Sequence, residues 1–185
     1  MLLKKLILSN HILFVISISF TIILSCNIPE ERFDNPLDLE ENAAKGIFPP
    51  ALVFTPDSVD INLGESIAID LYALAVDTIS GAQIEIDYFS SALSILSIEK
   101  GDFFQGDFAP IFIFDDKKDK LIIYVTYMGP NKTNITGTGI IATITIKAKF
   151  PGSTFFSVSK NSVLLNQNAT QIEINGFGRS LINAK

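Results

Sequence analysis

The 185-residue chain has one cysteine, one histidine and no tryptophan. Each scarcity removes a class of chemistry. A single thiol, Cys26, cannot close a disulfide within the chain, so any folded core must hold by packing alone. The single imidazole, His11, lies inside an apolar N-terminal stretch. If that stretch is removed, no Ser-His-Asp or Cys-His nucleophile can be assembled, and zinc or copper sites lack their usual N and S ligands. What remains is carboxylate chemistry or no chemistry. A glycoside hydrolase would need two carboxylates across a cleft, whereas the acids here scatter over strand exteriors and loops. The chain therefore reads as a non-enzyme with no cofactor and no catalytic or metal-binding residues of its own.

The first residues are MLLKKLILSNHILFVISISFTIILSC. Lys4 and Lys5 give a short basic start, and Ile12 to Leu24 is an apolar run broken only by Ser17, Ser19 and Thr21. A small residue, Ser25, precedes Cys26. These are the parts of a secretory signal. The uninterrupted run is shorter than the ~20 apolar residues of a spanning helix. With its terminal cysteine the segment resembles a bacterial lipoprotein signal, which implies cleavage after residue 25 and lipidation of Cys26. Losing Lys4 and Lys5 and no acid would take the formal charge from −6 to −8. An acidic domain repels nucleic acid and anionic lipid surfaces, so membrane attachment would come from acyl chains on Cys26, two or more being needed for a stable anchor. The expected location is the cell envelope, outside the cytoplasm, at the outer membrane or cell surface.

Residues 26–50 show no hydrophobic periodicity and read as a tether bounded by Pro29 and Pro49-Pro50. Fully extended, such a segment reaches roughly 80 Å. Phe33 and Leu37 are candidates to dock on the domain. The donors Asp34, Asn35, Asp38 and Glu40 suggest a calcium loop, but their spacing fits no loop signature and an EF-hand glycine is missing.

From Ala51 the pattern becomes β. Runs rich in Val, Ile, Phe, Tyr and Thr alternate with Gly, Pro, Asn and Asp clusters, the signature of an all-β sandwich or barrel. The candidate strands are 51–55, 59–61, 66–75, 82–88, 94–99, 110–114, 121–128, 139–150, 154–158 and 171–175. In 82–88, Gln83, Glu85 and Asp87 take one face and apolar residues the other, so that strand is half-buried. Residues 121–128 are apolar on both faces. That fits a central strand covered on both sides. It also fits a surface patch of Ile122, Tyr124, Thr126 and Met128 beside Gln83, Glu85 and Asp87, suited to a protein partner. The three phenylalanines in 101–108 read as plugs for the open end of a sandwich, 115–120 as a solvated hairpin loop, and 131–139 as a polar loop.

Four segments in this order resemble cohesin domains. They are Val59-Asp60-Ile61-Asn62-Leu63-Gly64-Glu65-Ser66, Ser80 to Tyr88 followed by Leu93 to Phe104, Leu121 to Tyr127, and Gly139 to Lys149. Together they span about 51–176 and leave 177–185 as a C-terminal tail. The resemblance implies a two-sheet jelly-roll β-sandwich of about nine strands, preceded by a signal helix and an extended linker. It also implies a non-catalytic module that captures a protein partner, with a calcium-loaded dockerin as the family's usual one, in polysaccharide breakdown or surface assembly. Tyr88-Phe89-Ser90 stands where cohesins usually have Tyr-Asp-Pro, and Gly81 and Gln83 stand where some place their dockerin-contacting Asn and Asp. Two other functions fit the same sandwich. One is direct carbohydrate binding, with Tyr72, Tyr88, Tyr124 and Tyr127 standing in for the absent tryptophan. The other is a structural role in the envelope.

Overall fold

The computed structural model describes residues 37–105, 110–127 and 134–185. Cys26, Phe33, Asp34, Asn35, Phe108 and Met128 lie outside them, as does the signal segment. The elements are α1 (Leu39–Ala44), β1 (Ala51–Thr55), β2 (Ser58–Ile61), β3 (Ser66–Asp87), β4 (Leu93–Lys100), β5 (Ile111–Asp116), β6 (Lys120–Thr126), β7 (Ile135–Ala148), β8 (Gly152–Val158), β9 (Val163–Asn166), β10 (Gln171–Ile172), β11 (Gly176–Phe177) and β12 (Arg179–Ala184). Strands dominate, as the alternating runs imply.

β3 organises the molecule. Its first half pairs with β1 and β7, and its second half with β6, β8 and β9. The expected strands 66–75 and 82–88 are thus one strand that folds over between them. Its two ends return to one end of the domain, where Ser66 faces Lys147 and the nearby Leu93 faces Ala148. The fold-over holds Ala75 and Thr78 at φ of 45° and 53°, a region costly for residues with a Cβ. Hydroxyls of β7 hold it in place: Ala75 N–H donates to Thr138 Oγ1 at 2.9 Å and Thr78 N–H to Thr136 Oγ1 at 3.1 Å. One layer is therefore β11–β1–β3–β7–β4 and the other β5–β6–β3–β8–β12–β2, with β9 pairing the stretch of β3 ahead of its β8 contact and β10 pairing β9. The architecture is the expected all-β sandwich, drawn from one continuous hydrogen-bonded sheet.

The core lies between the layers and is built by period-two alternation. Ile84 and Ile86 on β3, Leu121, Ile123 and Val125 on β6, and Ile144 and Ile146 on β7 are essentially buried. Aromatic rings close both ends. Phe156 packs on Phe54 and Tyr88 with ring centroids 5.3 and 5.8 Å apart. At the other end Phe104 meets Phe103 edge-on at 5.5 Å and Tyr127 at 5.8 Å, so Phe103 and Phe104 are the expected plugs. Gly101 is required beside them, because a Cβ there would stand 2.1 Å from the Ile140 carbonyl oxygen.

Four boundaries move. Residues 177–185, expected as a tail, supply β12, whose Ser180, Ile182 and Ala184 face the core between β8 and β2. The tether ends in structure: Asp38 caps α1, and Leu37 and Ile47 pack on Ala51, Val53 and Leu74. Asp115 and Asp116 belong to β5 and Lys120 to β6, which leaves only 117–119 as the turn. Likewise 135–139, expected as loop, open β7. Among the described residues no helix is long and apolar enough to cross a membrane.

Candidate functional site

Residues directly opposite across a ladder share a face, so the register assembles the outer surface of the second layer. Ile113, Tyr124, Gln83 and Val163 form one row across β5, β6, β3 and β9. Ile111, Thr126, Gly81 and Leu165 form the next on one side, and Asp115, Ile122 and Glu85 the next on the other. Beyond these, Lys120, Asp87, Ser157 and Arg179 carry the face onto β8 and β12. The register thus brings together every described member of the expected patch: Gln83, Glu85, Asp87, Ile122, Tyr124 and Thr126.

Their roles differ. Ile122 is only 6% exposed and forms floor rather than contact surface. Tyr124, Thr126, Gln83 and Glu85 are half-buried, and Asp87 is exposed. The apolar prominence is instead on β5, where Ile113 is 58% and Ile111 41% exposed. The described strand Lys120–Thr126 thus has one face in the core and the other, apart from Ile122, half-buried.

The polar half is organised by Glu85. Lys120 Nζ reaches its carboxylate at 2.7 Å, and Gln83 Nε2 and Asn161 Nδ2 donate to it at 3.4 Å. The Lys120 hydrogen bond holds the Glu85 carboxyl below its ordinary value, against the opposing effect of burial, with Asn161 and Gln83 adding to it. The same bond holds the Lys120 ammonium above its own ordinary value. Ser162 Oγ accepts from the Glu85 backbone N–H at 3.1 Å and pins β9 to β3. Asp87 and Asp115 present further carboxylates, the latter paired with Lys117 at 3.2 Å. The surface is an apolar strip flanked by acids.

Sequence reasoning missed Ile111, Ile113, Lys120, Asn161 and Val163. The alternation Ile-Phe-Ile-Phe in β5 carried the signal for the first two, because Phe112 faces the core and its neighbours must then face out. The glycan platform of tyrosines is corrected here. Tyr88 and Tyr127 are buried, Tyr72 lies half-buried beside the cluster that receives Leu37 and Ile47, and only Tyr124 presents on this face. Asp38 spends its carboxylate on capping, accepting from the N–H groups of Glu40 and Glu41. Among the described residues no acidic or thiol–imidazole cluster is arranged to hold a metal ion.

No family model matches the chain, and no curated protein does. Solved structures do. The sixth cohesin of Acetivibrio cellulolyticus scaffoldin B, solved in complex with a mutant Cel5 dockerin, matches with a TM-score of 0.60 at 19% identity, over 73% of this chain and 98% of that one. A cohesin from a Clostridium thermocellum type I cohesin–dockerin complex matches with a TM-score of 0.59 at 14% identity, over 73% and 98%. A non-cellulosomal cohesin from the archaeon Archaeoglobus fulgidus matches with a TM-score of 0.60 at 10% identity, over 73% and 90%. The domain therefore has the cohesin fold.

Proposed function

We propose that this chain is a non-catalytic, lipid-anchored binding module that captures a protein partner of dockerin type through the outer face of β5, β6 and β3. The observation that carries the reading is the apolar strip of Ile111, Ile113 and Tyr124 set on a rigid layer and bordered by Asp87, Asp115 and the Glu85–Lys120 pair. A central apolar anchor with a charged rim is how protein interfaces divide affinity from specificity. Two cohesins of this fold were solved as dockerin complexes, which supports a partner of that class. The acidic rim favours a partner with basic residues around an apolar ridge.

The test is capture of calcium-loaded dockerin modules by the immobilised full chain, with and without calcium. Tyr124→Ala should weaken capture at least tenfold, a loss of about 1.4 kcal/mol, while leaving the circular dichroism spectrum unchanged. Retention that is indifferent to Tyr124→Ala and to Ile113→Asp would place the contact elsewhere and end this reading. Anchoring rests on Cys26 and the segment before it. Cys26→Ala should move the protein from the detergent phase to the aqueous phase on cloud-point partition, and unchanged partition would contradict lipidation at that residue.

A further inference from the structure

With the tyrosines withdrawn from the surface, the exposed rings of the described domain are phenylalanines, and two of them meet at one cleft. Phe89 is 60% and Phe150 63% exposed. Both line a cavity of about 400 Å³ together with Ser91, Ser153 and Thr154. The volume falls within the ~300–1,000 Å³ typical of small-ligand sites.

The two rings stand on turns that are tied to each other. Ala92 and Leu93 N–H groups both donate to the Phe89 carbonyl at 2.9 Å, and Lys149 N–H donates to the Ala92 carbonyl at 2.8 Å. Ser90 N–H donates to Asp119 Oδ1 at 2.7 Å, which supplies from β-turn 117–119 the carboxylate that Tyr-Phe-Ser lacks. The Lys149 ammonium is turned to the Ser90 carbonyl. No ionisable side chain lines the cleft. Two exposed aromatic side chains, three hydroxyl-bearing residues and no ionisable lining residue suit a ligand that is apolar on its ring faces, rich in hydroxyls at its edges, and neutral.

We infer that the cleft between Phe89 and Phe150 is a binding subsite for a neutral oligosaccharide chain. Pyranose C–H faces pack on the two rings, and the Ser91, Ser153 and Thr154 hydroxyls meet the ring substituents. Ser153 already donates to Asn183 Oδ1 at 2.7 Å and keeps its lone pairs for a sugar hydroxyl. The absence of lining cations selects against uronates, sulfates and phosphates. The cleft lies at the end of the sandwich opposite Ala51 and Leu74, where Leu37 brings the chain into the domain. None of its lining residues is among those of the Tyr124 face.

The experiment is isothermal titration calorimetry on the full chain, held in a detergent without a sugar headgroup. The ligands are cellohexaose, xylohexaose, mannohexaose and laminarihexaose, with hexagalacturonate as the charged counterpart. At least one neutral hexasaccharide should bind saturably. Phe89→Ala and Phe150→Ala should each weaken it about tenfold, equivalent to about 1.4 kcal/mol, at unchanged melting temperature because both rings are exposed. Tyr124→Ala should leave sugar binding as it was. The inference is overturned if none of the four binds at millimolar concentration, if the Phe89→Ala/Phe150→Ala double variant binds as well as the parent, or if hexagalacturonate binds more tightly than all four.

Discussion

Glu85 shows how one side chain can serve both fold and surface. Its backbone is clamped by Ser162 and its carboxylate by Lys120, so the acid is presented in one orientation. The linkage has a defined sign. The Glu85 pKa is depressed below 4.5, so its contribution to stability is complete above that value and is lost as the pH falls through the depressed pKa. The Lys120 pKa is raised above 10.5, so its contribution is complete below that value and is lost as the pH rises through the raised pKa. The pair therefore supports the fold across the whole neutral range. Glu85→Gln should lower stability at pH 7 only slightly, since Lys120 is solvated. The deficit should shrink in acid as the parent's carboxylate protonates. Urea unfolding of both forms at several pH values measures this, and a deficit of equal size in acid would show that the ion pair is not its source. At this scale the sequence was informative about facing and silent about partners. Alternation placed Gln83, Glu85 and Asp87 together, but nothing in the chain announced that Lys120, thirty-five positions from Glu85, stands opposite its neighbour Asp87.

At the scale of elements, long alternating runs were legible and short or terminal ones were not. β7 and the second half of β3 follow from period two. β9 has only Val163 to Asn166 between asparagine-rich turns, and too few residues to show a period. β12 follows Gly176 and Gly178, which read as breakers. They are instead close approaches, because a Cβ at Gly178 would stand 2.8 Å from the Val53 Cα. α1 was hidden for a different reason. At six residues it is too short to display an apolar face, and it persists through its Asp38 cap, the Lys45 link to Asp57 at 2.7 Å and the docking of Leu37 and Ile47. Such a helix is marginal without these supports. Asp38→Ala should cost about 1 kcal/mol, confined to this segment. Hydrogen exchange should then speed up at the amides of Asn42 and Ile47 while Ile123 stays as protected as in the parent. Equal acceleration at Ile123 would mean that α1 is part of the cooperative core rather than a docked strap.

At the scale of the whole molecule, the scarcities met first become design constraints. Without disulfides the core relies on packing, and of the described phenylalanines Phe54, Phe103, Phe104 and Phe156 bury their rings in it. Those not used inside are left on the surface, at Phe89, Phe150 and Phe155 among others. The fold-over of β3 was the least legible feature, because Ala75 and Thr78 are residues that seldom adopt left-handed backbone and their support comes from β7, far along the chain. The likeness of fold was nevertheless readable from four β-rich segments, although the similar solved structures share only 10 to 19% identity with the chain.

The central claim is that the outer face of β5, β6 and β3 is where the partner docks. Hydrogen–deuterium exchange of the full chain, with and without calcium-loaded dockerin modules encoded in the same genome, tests it most directly. At least one such module should bind and slow exchange along Ile111–Asp116 and Lys120–Thr126, less so at high salt because the rim is charged. Binding that protects only the β4–β7 layer or the Phe89–Phe150 end, or no binding by any of them, would contradict it.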